Sequence, residues 1–571
     1  MTKENLKQPV IRLRNDVVKR LEVNKSVDNE TSNVIFPYYF NQANENGLEM
    51  MLKWKQVMIP EHYHYISDYF MDEFTKWNID SYVFINTGTG TGKTTFIEKL
   101  TQLRQFYILV LTNRTANRKQ IVNHLKKGCS NLNQLYVKVI SYQELEKDMG
   151  MTSEELDRYD YIVCDESHYF LEDSEFNSNT NISLMKIMGT RRAIKIFMSA
   201  TNQYIQKIII KRLQRRYNND LMVVQKIFIY TMNSNATKIR NIISFESLER
   251  DLLYEIINSK EKWLIFVKSI EQGKDIMKKL SKYLNSDEMI FMYRDTLDLK
   301  AIKEIQTFNI LINEETFYQK VMITTSLLDN GVNIRSLELK NIVCFDDDPV
   351  EMVQMIGRKR SLATQNDYFD LYLINESNQS LAVSLGNCYN KKKKFKAVKQ
   401  DIEVYKEKNP VHYINSKEGD EYRNMSYYNP YLKEYYFNYL GFSKVHTEID
   451  NLQQLRIAEN SFDVKVNWIL EKIGGNITGK VITSEQLNAE RFLQSIHSVI
   501  NQEFLYKTKR DKIYFHSIIS NYFWEWFKKE NGERSDRPMN IDKLANKFIL
   551  HQIPLQFEIN DDKIKIIKMK G

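Results

Sequence analysis

One short segment constrains the fold of this chain more than any other. Residues Val83–Thr95 read VFINTGTGTGKTT, and the run TFIEKLTQL continues from Thr95. The apolar start predicts a buried strand, the glycines predict a loop, and the final run predicts a helix. A strand, a glycine loop and a helix in this order bind phosphate, because backbone N–H groups at the helix N-terminus can surround the anion. The sequence therefore predicts an α/β domain that binds a nucleoside triphosphate.

Each residue of this loop has an expected partner. Lys93 is expected to reach the β- and γ-phosphates, and the Thr94 hydroxyl is expected to ligate Mg²⁺. The pattern G-x-x-x-x-G-K-[ST] requires a glycine at position 87, where this chain has Thr87. We expect the nucleotide to contact the whole loop: Thr87, Gly88, Thr89, Gly90, Thr91, Gly92, Lys93, Thr94 and Thr95.

A second apolar run ends in acidic residues. Residues 159–170 read YDYIVCDESHYF, so a predicted strand leads directly into Asp165 and Glu166. An acidic pair beside a phosphate loop can hold Mg²⁺ through Asp165 and polarise an attacking water through Glu166. The two segments together predict hydrolysis of the triphosphate.

Three further segments follow in order along the chain. They read IKIFMSAT at 194–201, KVMITTSLLDNGVNI at 320–334 and EMVQMIGRKRS at 351–361. The ordered set GTGTGKTT, DESH, SAT, TTSLLDNG and QMIGRKR resembles the superfamily 2 helicases and translocases, in their DExH branch. It also resembles helicases of phages, plasmids and other mobile elements. The resemblance covers about residues 80–370.

The resemblance implies ATP and Mg²⁺ as cofactors, and it assigns roles to matching residues. Within the family, Ala or Thr replaces the first glycine of the loop, as Thr87 does here. His168, Ser199 and Thr201 would couple hydrolysis to movement between domains. Gln354 would be a further catalytic residue, and Asp329 and Gly331 would contact the nucleotide.

The last motif departs from the family pattern at one position. Arg358 is the expected arginine finger, which stabilises charge on the γ-phosphate. The pattern Q-x-x-G-R-x-x-R places a second arginine at 361, where this chain has Ser361, and Arg360 lies one place earlier. On a helix, a shift of one residue turns a side chain by about 100°. The sequence therefore leaves open whether Arg360 faces the nucleotide, nucleic acid or solvent.

Nucleic-acid contacts are also implied by the resemblance. They fall on Arg114, Thr115, Ser141 and Thr325. Later in the chain, Lys391–Lys394 form a run of four lysines that is either a solvated linker or a strip that contacts phosphate.

The alternation of β-rich and helical runs predicts the fold class. We expect an α/β protein with two tandem RecA-like parallel-sheet domains and a mostly helical C-terminal region. The expected divisions are an N-terminal extension, an ATP-binding domain, a second domain of the helicase C-terminal type, and an accessory region with possible nucleic-acid binding. Their ranges are 1–78, 79–240, 241–375 and 376–571.

Composition narrows the remaining choices. The chain has 571 residues, a formal net charge of +8 and four cysteines without a C-x-x-C pair. This favours reduced cysteines in a cytoplasm, without a zinc or iron–sulfur site. The absence of an 18-residue apolar run predicts no membrane span. The excess of basic residues is compatible with a polyanionic partner.

These features favour an ATP-dependent helicase or translocase that serves replication, recombination or repair of a mobile element. The expected partner is single-stranded or tailed duplex DNA, with RNA as the alternative, and replication proteins could bind the C-terminal region. Two other functions stay open. One is an ATPase, stimulated by nucleic acid, that remodels protein–nucleic-acid complexes. The other is an origin-binding replication initiator with an auxiliary motor.

Overall fold

Two parallel sheets dominate the computed structural model, which describes most of the chain after residue 54. The described residues are 55–60, 62–63, 65–73, 76–88, 90–102, 106–113, 118, 121–122, 125, 136–147, 151–216, 226–232, 238–293, 302–325, 332–361, 367–400, 424–429, 434–473, 477–527 and 538–569. Each parallel sheet has seven strands, and two smaller antiparallel sheets lie in the C-terminal region.

The first sheet contains the phosphate loop. Its strands are β1 Lys55–Met58, β2 Tyr82–Thr87, β3 Ile108–Thr112, β4 Val137–Ser141, β5 Tyr161–Asp165, β6 Ile194–Ser199 and β7 Ile227–Met232. They lie in the order β1-β7-β2-β6-β5-β3-β4. The accompanying helices are α1 Ile66–Glu73, α2 Lys93–Gln102, α3 Tyr142–Glu146, α4 Ser153–Leu156, α5 Tyr169–Glu172, α6 Thr180–Gly189 and α7 Gln203–Arg216, with a 3₁₀ turn at Asp173–Glu175.

Burial on both faces explains why the central strands read as continuous apolar runs. Every residue of β3 and β6 is buried, and so are the first four of β2 and of β5. Strands β2, β6 and β5 are neighbours, so the phosphate loop, the SAT segment and DESH follow three adjacent strand ends. In open parallel sheets, ligands bind at these carboxyl ends.

The second sheet has the same architecture. Its strands are β8 Ile239–Phe245, β9 Lys262–Phe266, β10 Met289–Met292, β11 Val321–Thr324, β12 Leu339–Cys344, β13 Phe369–Ile374 and, much later in the chain, β16 Val481–Ile482. Their order is β10-β11-β9-β12-β13-β8-β16. The helices are α8 Leu253–Asn258, α9 Ile270–Leu280, α10 Ile302–Glu314 and α11 Pro349–Ile356, with a π turn at Leu248–Leu252.

The C-terminal region is mostly helical. Its helices are α12 Asn378–Gln400, α13 Tyr439–Ile457, α14 Ser461–Ile473, α15 Ser484–Ser495, α16 Lys509–Trp526 and α17 Ile541–Leu550. Besides β16, its strands are β14 Ser426–Asn429, β15 Glu434–Phe437, β17 Phe504–Leu505, β18 Leu555–Asn560 and β19 Lys563–Lys568. From α15 onward, a helix, a strand, two helices and a hairpin follow one another, with the sheet order β17-β19-β18, which is the topology of a winged helix. None of the described helices is long and apolar enough to cross a membrane.

The predicted fold class is confirmed, with two parallel sheets and a mostly helical C-terminal region. One expectation about the C-terminal region is wrong. Residues 391–394 do not form a linker, because they lie inside the 23-residue helix α12. Buried residues at helical spacing, including Leu385, Cys388 and Phe395, hold that helix against its neighbours and leave the lysines on its outer side.

Helices α13 and α14 attach the C-terminal region to both sheets. Leu440 of α13 is buried within the core of the first sheet, and Asn438 accepts a hydrogen bond from Asn181 at 2.7 Å. Phe462 and Val466 of α14 are buried within the core of the second sheet. A short turn separates the two helices, so one continuous segment bridges the two α/β units.

Candidate active site

The phosphate loop is shaped by two glycines and two threonines. Gly90 and Gly92 have φ angles of 81° and 84°, in the left-handed region that suits residues without a Cβ. A Cβ at Gly92 would also lie 3.2 Å from the Tyr65 side chain. The buried Thr87 hydroxyl accepts a hydrogen bond from Thr91 Oγ1 at 2.9 Å. Thr87 therefore has a structural task that a glycine could not perform.

Lys93 and the DESH carboxylates meet at the end of this loop. Lys93 Nζ lies 3.3 Å from Glu166 Oε1, with both side chains mostly buried. Burial and the neighbouring Glu166 carboxylate raise the pKa of Asp165 to about 7, although Lys93 opposes the shift. Burial opposes ionisation of Glu166 as well, but Lys93, His168 and Arg358 outweigh it and hold the pKa of Glu166 well below its usual range. Glu166 is therefore ionised at neutral pH.

The backbone of Glu166 is strained. Its φ angle is 50°, which is uncommon for a residue with a side chain. Such conformations cost on the order of 1–3 kcal/mol and concentrate at functional sites, where surrounding bonds hold them in place. Tyr142 supplies one such bond, because its hydroxyl donates to the Asp165 carbonyl oxygen at 2.9 Å.

Two side-chain bonds connect DESH to the end of β6. His168 Nδ1 and Ser199 Oγ lie 2.9 Å apart, and Ser199 Oγ lies 3.4 Å from Thr201 Oγ1. Ser167 donates to Asn202 Oδ1 at 2.7 Å. The structure therefore brings together the three residues that the sequence assigned to coupling. Sequence reasoning missed Asn202, although it directly follows the SAT segment.

The second sheet contributes two arginines, which lie just beyond helix α11. The helix ends at Ile356, and Arg358 lies in the turn that follows, since its N–H donates to the Met355 carbonyl oxygen at 3.2 Å. The chain then pairs with Ile334: Ile334 N donates to the Arg358 carbonyl oxygen at 2.8 Å, and Arg360 N donates to the Ile334 carbonyl oxygen at 2.9 Å. Both arginines interact with the Glu166 carboxylate, while Lys359 points away and binds Asp367.

This geometry corrects the helical argument about Arg360. A one-residue offset no longer turns the side chain by about 100°, since the segment is not a helix. Arg360 Nε donates to Asn333 Oδ1 at 2.9 Å. Burial and the nearby Arg358 lower its pKa to about 10, while Glu166 across the site acts in the opposite direction. Ser361 instead accepts a hydrogen bond from Lys238 N at 3.3 Å.

Several buried nitrogen atoms of the site have no hydrogen-bond partner within the described part of the chain. They are Lys93 Nζ, Gln354 Nε2 and Arg360 Nη1. Buried donors ordinarily have partners, so these three fit an anion such as a triphosphate. The other Gln354 amide atom, Oε1, accepts from Arg358 Nη2 at 3.0 Å.

The residues also fit a magnesium ion that arrives with the nucleotide. Among the described residues, no group of three or more His, Cys, Asp and Glu side chains could hold a metal ion. Magnesium in nucleotide sites is usually held by one or two protein ligands together with phosphate oxygens and water. Thr94, at the start of α2, and Asp165, at the end of β5, can supply those ligands.

Several predicted site residues lie outside the described residues or have another partner. Outside the described residues are Thr89, Arg114, Thr115, Asp329 and Gly331. Ser141 Oγ accepts a hydrogen bond from Glu144 N at 3.1 Å and so caps α3. Thr325 follows β11 at the carboxyl edge of the second sheet.

Part of the second sheet matches a known type of domain. Residues 248–360 match the helicase conserved C-terminal domain. The match includes Asn333, Gln354, Arg358 and Arg360, and it supports the general resemblance to superfamily 2 helicases. It does not extend to the DESH segment, so the DExH subtype stays a prediction, and so does the likeness to mobile-element helicases.

Two solved structures have a limited similarity to this chain. The chain is 12% identical to Dbp5 of S. cerevisiae in a complex with RNA and ADP–BeF3, covering 53% of this chain and 81% of Dbp5, with a TM-score of 0.37. It is 11% identical to the E. coli DEAH/RHA helicase HrpB, covering 54% of this chain and 42% of HrpB, with a TM-score of 0.35. No curated protein matches the sequence.

Proposed function

We propose that this protein is an ATP-dependent, magnesium-requiring helicase or translocase of the DExH type that acts on nucleic acid. One observation carries the proposal: cations from both sheets act on the same carboxylate. Lys93 of the first sheet and Arg358 of the second sheet both favour the ionised form of Glu166. A nucleotide held between the sheets would then link its hydrolysis to their relative movement.

The residues divide the chemistry in the following way. Lys93 binds the β- and γ-phosphates, and Thr94 and Asp165 hold Mg²⁺, which supplies charge neutralisation. Glu166 is ionised and can accept hydrogen bonds from water, so it orients the attacking water. Arg358 and Arg360 approach from the second sheet and stabilise the negative charge that develops on the γ-phosphate.

The connection between His168, Ser199 and Thr201 supports coupling of hydrolysis to movement. His168 Nδ1 lies 3.4 Å from Glu166 Oε2, so the same imidazole touches the catalytic carboxylate and the SAT hydroxyl. A change at the γ-phosphate that shifts Glu166 would pass through His168 to β6. We propose the ranges 79–240 and 241–375 as the main parts of the two motor domains and 376–571 as the accessory region. Strand β1 and helix α1 add to the first motor domain, and the start of β8 and strand β16 add to the second.

DNA is the proposed substrate, and the deciding experiment compares it with RNA. ATP hydrolysis is measured at low salt with no nucleic acid, single-stranded DNA, duplex DNA and RNA in parallel, with Lys93→Ala as the inactive control. We expect single-stranded or tailed DNA to raise the rate most. A separate assay of strand displacement on a tailed duplex distinguishes a helicase from a translocase.

A negative result in this experiment has a clear meaning. If neither DNA nor RNA raises the ATPase rate at low salt, the motor function is wrong. The protein would then act as a nucleotide-dependent switch on another protein. A larger stimulation by RNA than by DNA would retain the motor function and overturn the choice of substrate.

A further inference from the structure

A buried lysine of the C-terminal region lies between the two motor halves. Lys444 is on α13, and its side chain is 6% exposed. Its Nζ contacts Glu172 of the first α/β unit and lies 2.8 Å from Asp348 Oδ2 of the second. One ammonium group therefore binds carboxylates from both units at once.

Both carboxylates lie close in sequence to the catalytic motifs. Glu172 is the last residue of α5, the helix that begins directly after His168. Glu172 N donates to the His168 carbonyl oxygen at 3.0 Å. A displacement of Glu172 would therefore also displace the DESH segment, because one helical turn connects the two.

On the other side, Asp348 begins the helix that leads to the arginines. Asp348 Oδ1 accepts a hydrogen bond from Val350 N at 2.7 Å and caps α11. Its other oxygen, Oδ2, is left for Lys444. Helix α11 carries Gln354 and ends directly before the turn that holds Arg358. Asp348 therefore fixes the start of the element that delivers the arginines.

The charges make this contact specific. Burial opposes the charged form of Lys444, but Asp348, Glu172 and Glu448 outweigh it and raise the pKa of Lys444 well above its usual range. Lys444 is thus fully charged at neutral pH. Burial and Asp348 raise the pKa of Glu172 to about 7, against the attraction of Lys444. Loss of the Lys444 charge would therefore leave the Asp348 carboxylate without this cation and would favour protonation of Glu172 further.

We propose that Lys444 is a positioning residue for ATP hydrolysis: by binding Glu172 and Asp348 together, it sets the distance between the DESH carboxylates and the arginines of the second sheet. The C-terminal region is then part of the machinery that completes the active site. This proposal rests on the proposed ATPase function, and its test therefore includes one measurement that needs no activity.

The first measurement is steady-state ATP hydrolysis with stimulating nucleic acid. In Lys444→Met, we expect kcat to fall about 100-fold, the size of effect that a displacement of about 1 Å can have on catalysis. The KM for ATP should change little, because the phosphate loop lies in the first sheet and does not contact Lys444. The kcat is expressed per folded enzyme, with the folded fraction measured by binding of a fluorescent ATP analogue. A merely structural role would lower that fraction but leave the kcat per folded enzyme unchanged.

Glu175 provides a matched control. It lies in the 3₁₀ turn that follows α5, and Lys391 Nζ of α12 lies 3.1 Å from its Oε2. Glu175→Gln removes an ion pair between the C-terminal region and the first unit but leaves the contact of Lys444 with Asp348 intact. We expect this variant to retain the kcat of the wild type within about twofold.

A gentler variant covers the case in which Lys444→Met fails to fold. Asp348→Asn keeps a good helix cap, since asparagine caps helices as well as aspartate does, but it removes the charge that binds Lys444. We expect the same selective loss of kcat. In the double variant the two losses should not add, because both changes break the same contact.

The second measurement is the distance between spin labels at Ile79 and Tyr318. Both positions are more than half exposed, and they lie in the first and the second α/β unit, respectively. Lys444→Met and Asp348→Asn should broaden the distance distribution, whereas Glu175→Gln should not. If the wild type hydrolyses no ATP but the two variants still broaden the distribution, the positioning role is supported and the ATPase function is refuted. Unchanged kcat and unchanged distances in Asp348→Asn would overturn the proposal itself.

Discussion

The two sides of the candidate active site are held in place in different ways. On the phosphate side, the bonds around DESH come from the same sheet: His168 binds Ser199, and Ser167 binds Asn202. On the arginine side, the C-terminal region makes a larger share of the contacts: Lys444 contacts Asp348, and Lys465 contacts Asp347 together with Lys268 of the second sheet. Lys444 also contacts Glu172, at the end of the helix that follows DESH.

The first sheet is therefore expected to govern the chemical step, and the second sheet to govern how often the active site is complete. The first sheet can orient its carboxylates with its own residues, so changes there should alter the chemical step directly. The second sheet delivers its arginines through elements that another region supports. Changes there should chiefly alter how often the site is complete. The predictions below test this difference, starting with the largest expected effect.

Arg358→Ala should lower kcat about 1000-fold, because an arginine that stabilises charge on the γ-phosphate is worth at least that much. Binding of a fluorescent ATP analogue should weaken far less. Arg358→Lys is the control that keeps the charge but loses the planar fork. A near-normal rate in Arg358→Ala would show that the second sheet contributes no catalytic cation at this position.

Glu166→Gln should lower kcat by at least on the order of 100-fold while ATP still binds, since the amide cannot serve as a base. Single-turnover hydrolysis separates this effect from product release. Glu98→Gln on α2 is a matched control in the same domain and should hydrolyse ATP normally. Wild-type turnover by Glu166→Gln would refute the assignment of the catalytic carboxylate.

Arg360→Ala should lower kcat about tenfold, the value of one charge-assisted hydrogen bond of about 1.5 kcal/mol. The smaller loss is expected because the Arg360 guanidinium also donates a hydrogen bond to Asn333. A loss as large as that of Arg358→Ala would make Arg360 a second full arginine finger. A normal rate would confine the finger to Arg358.

The smallest effect concerns the stability contributed by Glu448, which lies where the C-terminal region meets the two α/β units. Burial, Glu175 and Asp348 together raise the pKa of Glu448 from 4.5 to about 7, although Lys444 and Lys391 favour its charged form. The folded state therefore binds a proton more tightly than the unfolded state does. By linkage, the free energy of unfolding should fall as the pH rises from about 4.5 to about 7.

Glu448→Gln removes this titration. Its free energy of unfolding should decrease less than that of the wild type between pH 5 and pH 8. The difference should be about 1 kcal/mol, smaller than the full shift would give because the side chain is partly exposed. Urea unfolding at the two pH values measures it, with Glu459→Gln as the control. Equal pH dependence in both variants would contradict the raised pKa.

The phosphate side was far easier to predict from the sequence than the arginine side. Strands β5 and β6 coincide with the apolar runs of the DESH and SAT segments, because these buried runs end in polar residues at Asp165 and Ser199. Local sequence determines such features. Strand β1, with the polar sequence KQVM, and the two-residue β16 carry no such signal, so the sheet edges were missed.

Contacts between distant segments explain the remaining gaps. Nothing near Lys444 in the sequence indicates that it reaches Glu172 and Asp348. The side that Arg360 faces depends on a bridge to Ile334, which no helical spacing could reveal. The α12 helix is a different case, because its buried residues recur at helical spacing and the run of lysines concealed that pattern.

The late strand β16 has a practical consequence for dissecting this protein. The outermost strand of the second sheet and part of its core come from residues far beyond position 360. A fragment containing only residues 248–360 would expose the apolar surface that Phe462 and Val466 cover, and we expect it to aggregate. A cut after residue 240 would separate the first two residues of β8 from the rest of that strand. The smallest excisable piece with an intact second sheet therefore runs from about residue 238 to 482, and it should melt in a single cooperative transition.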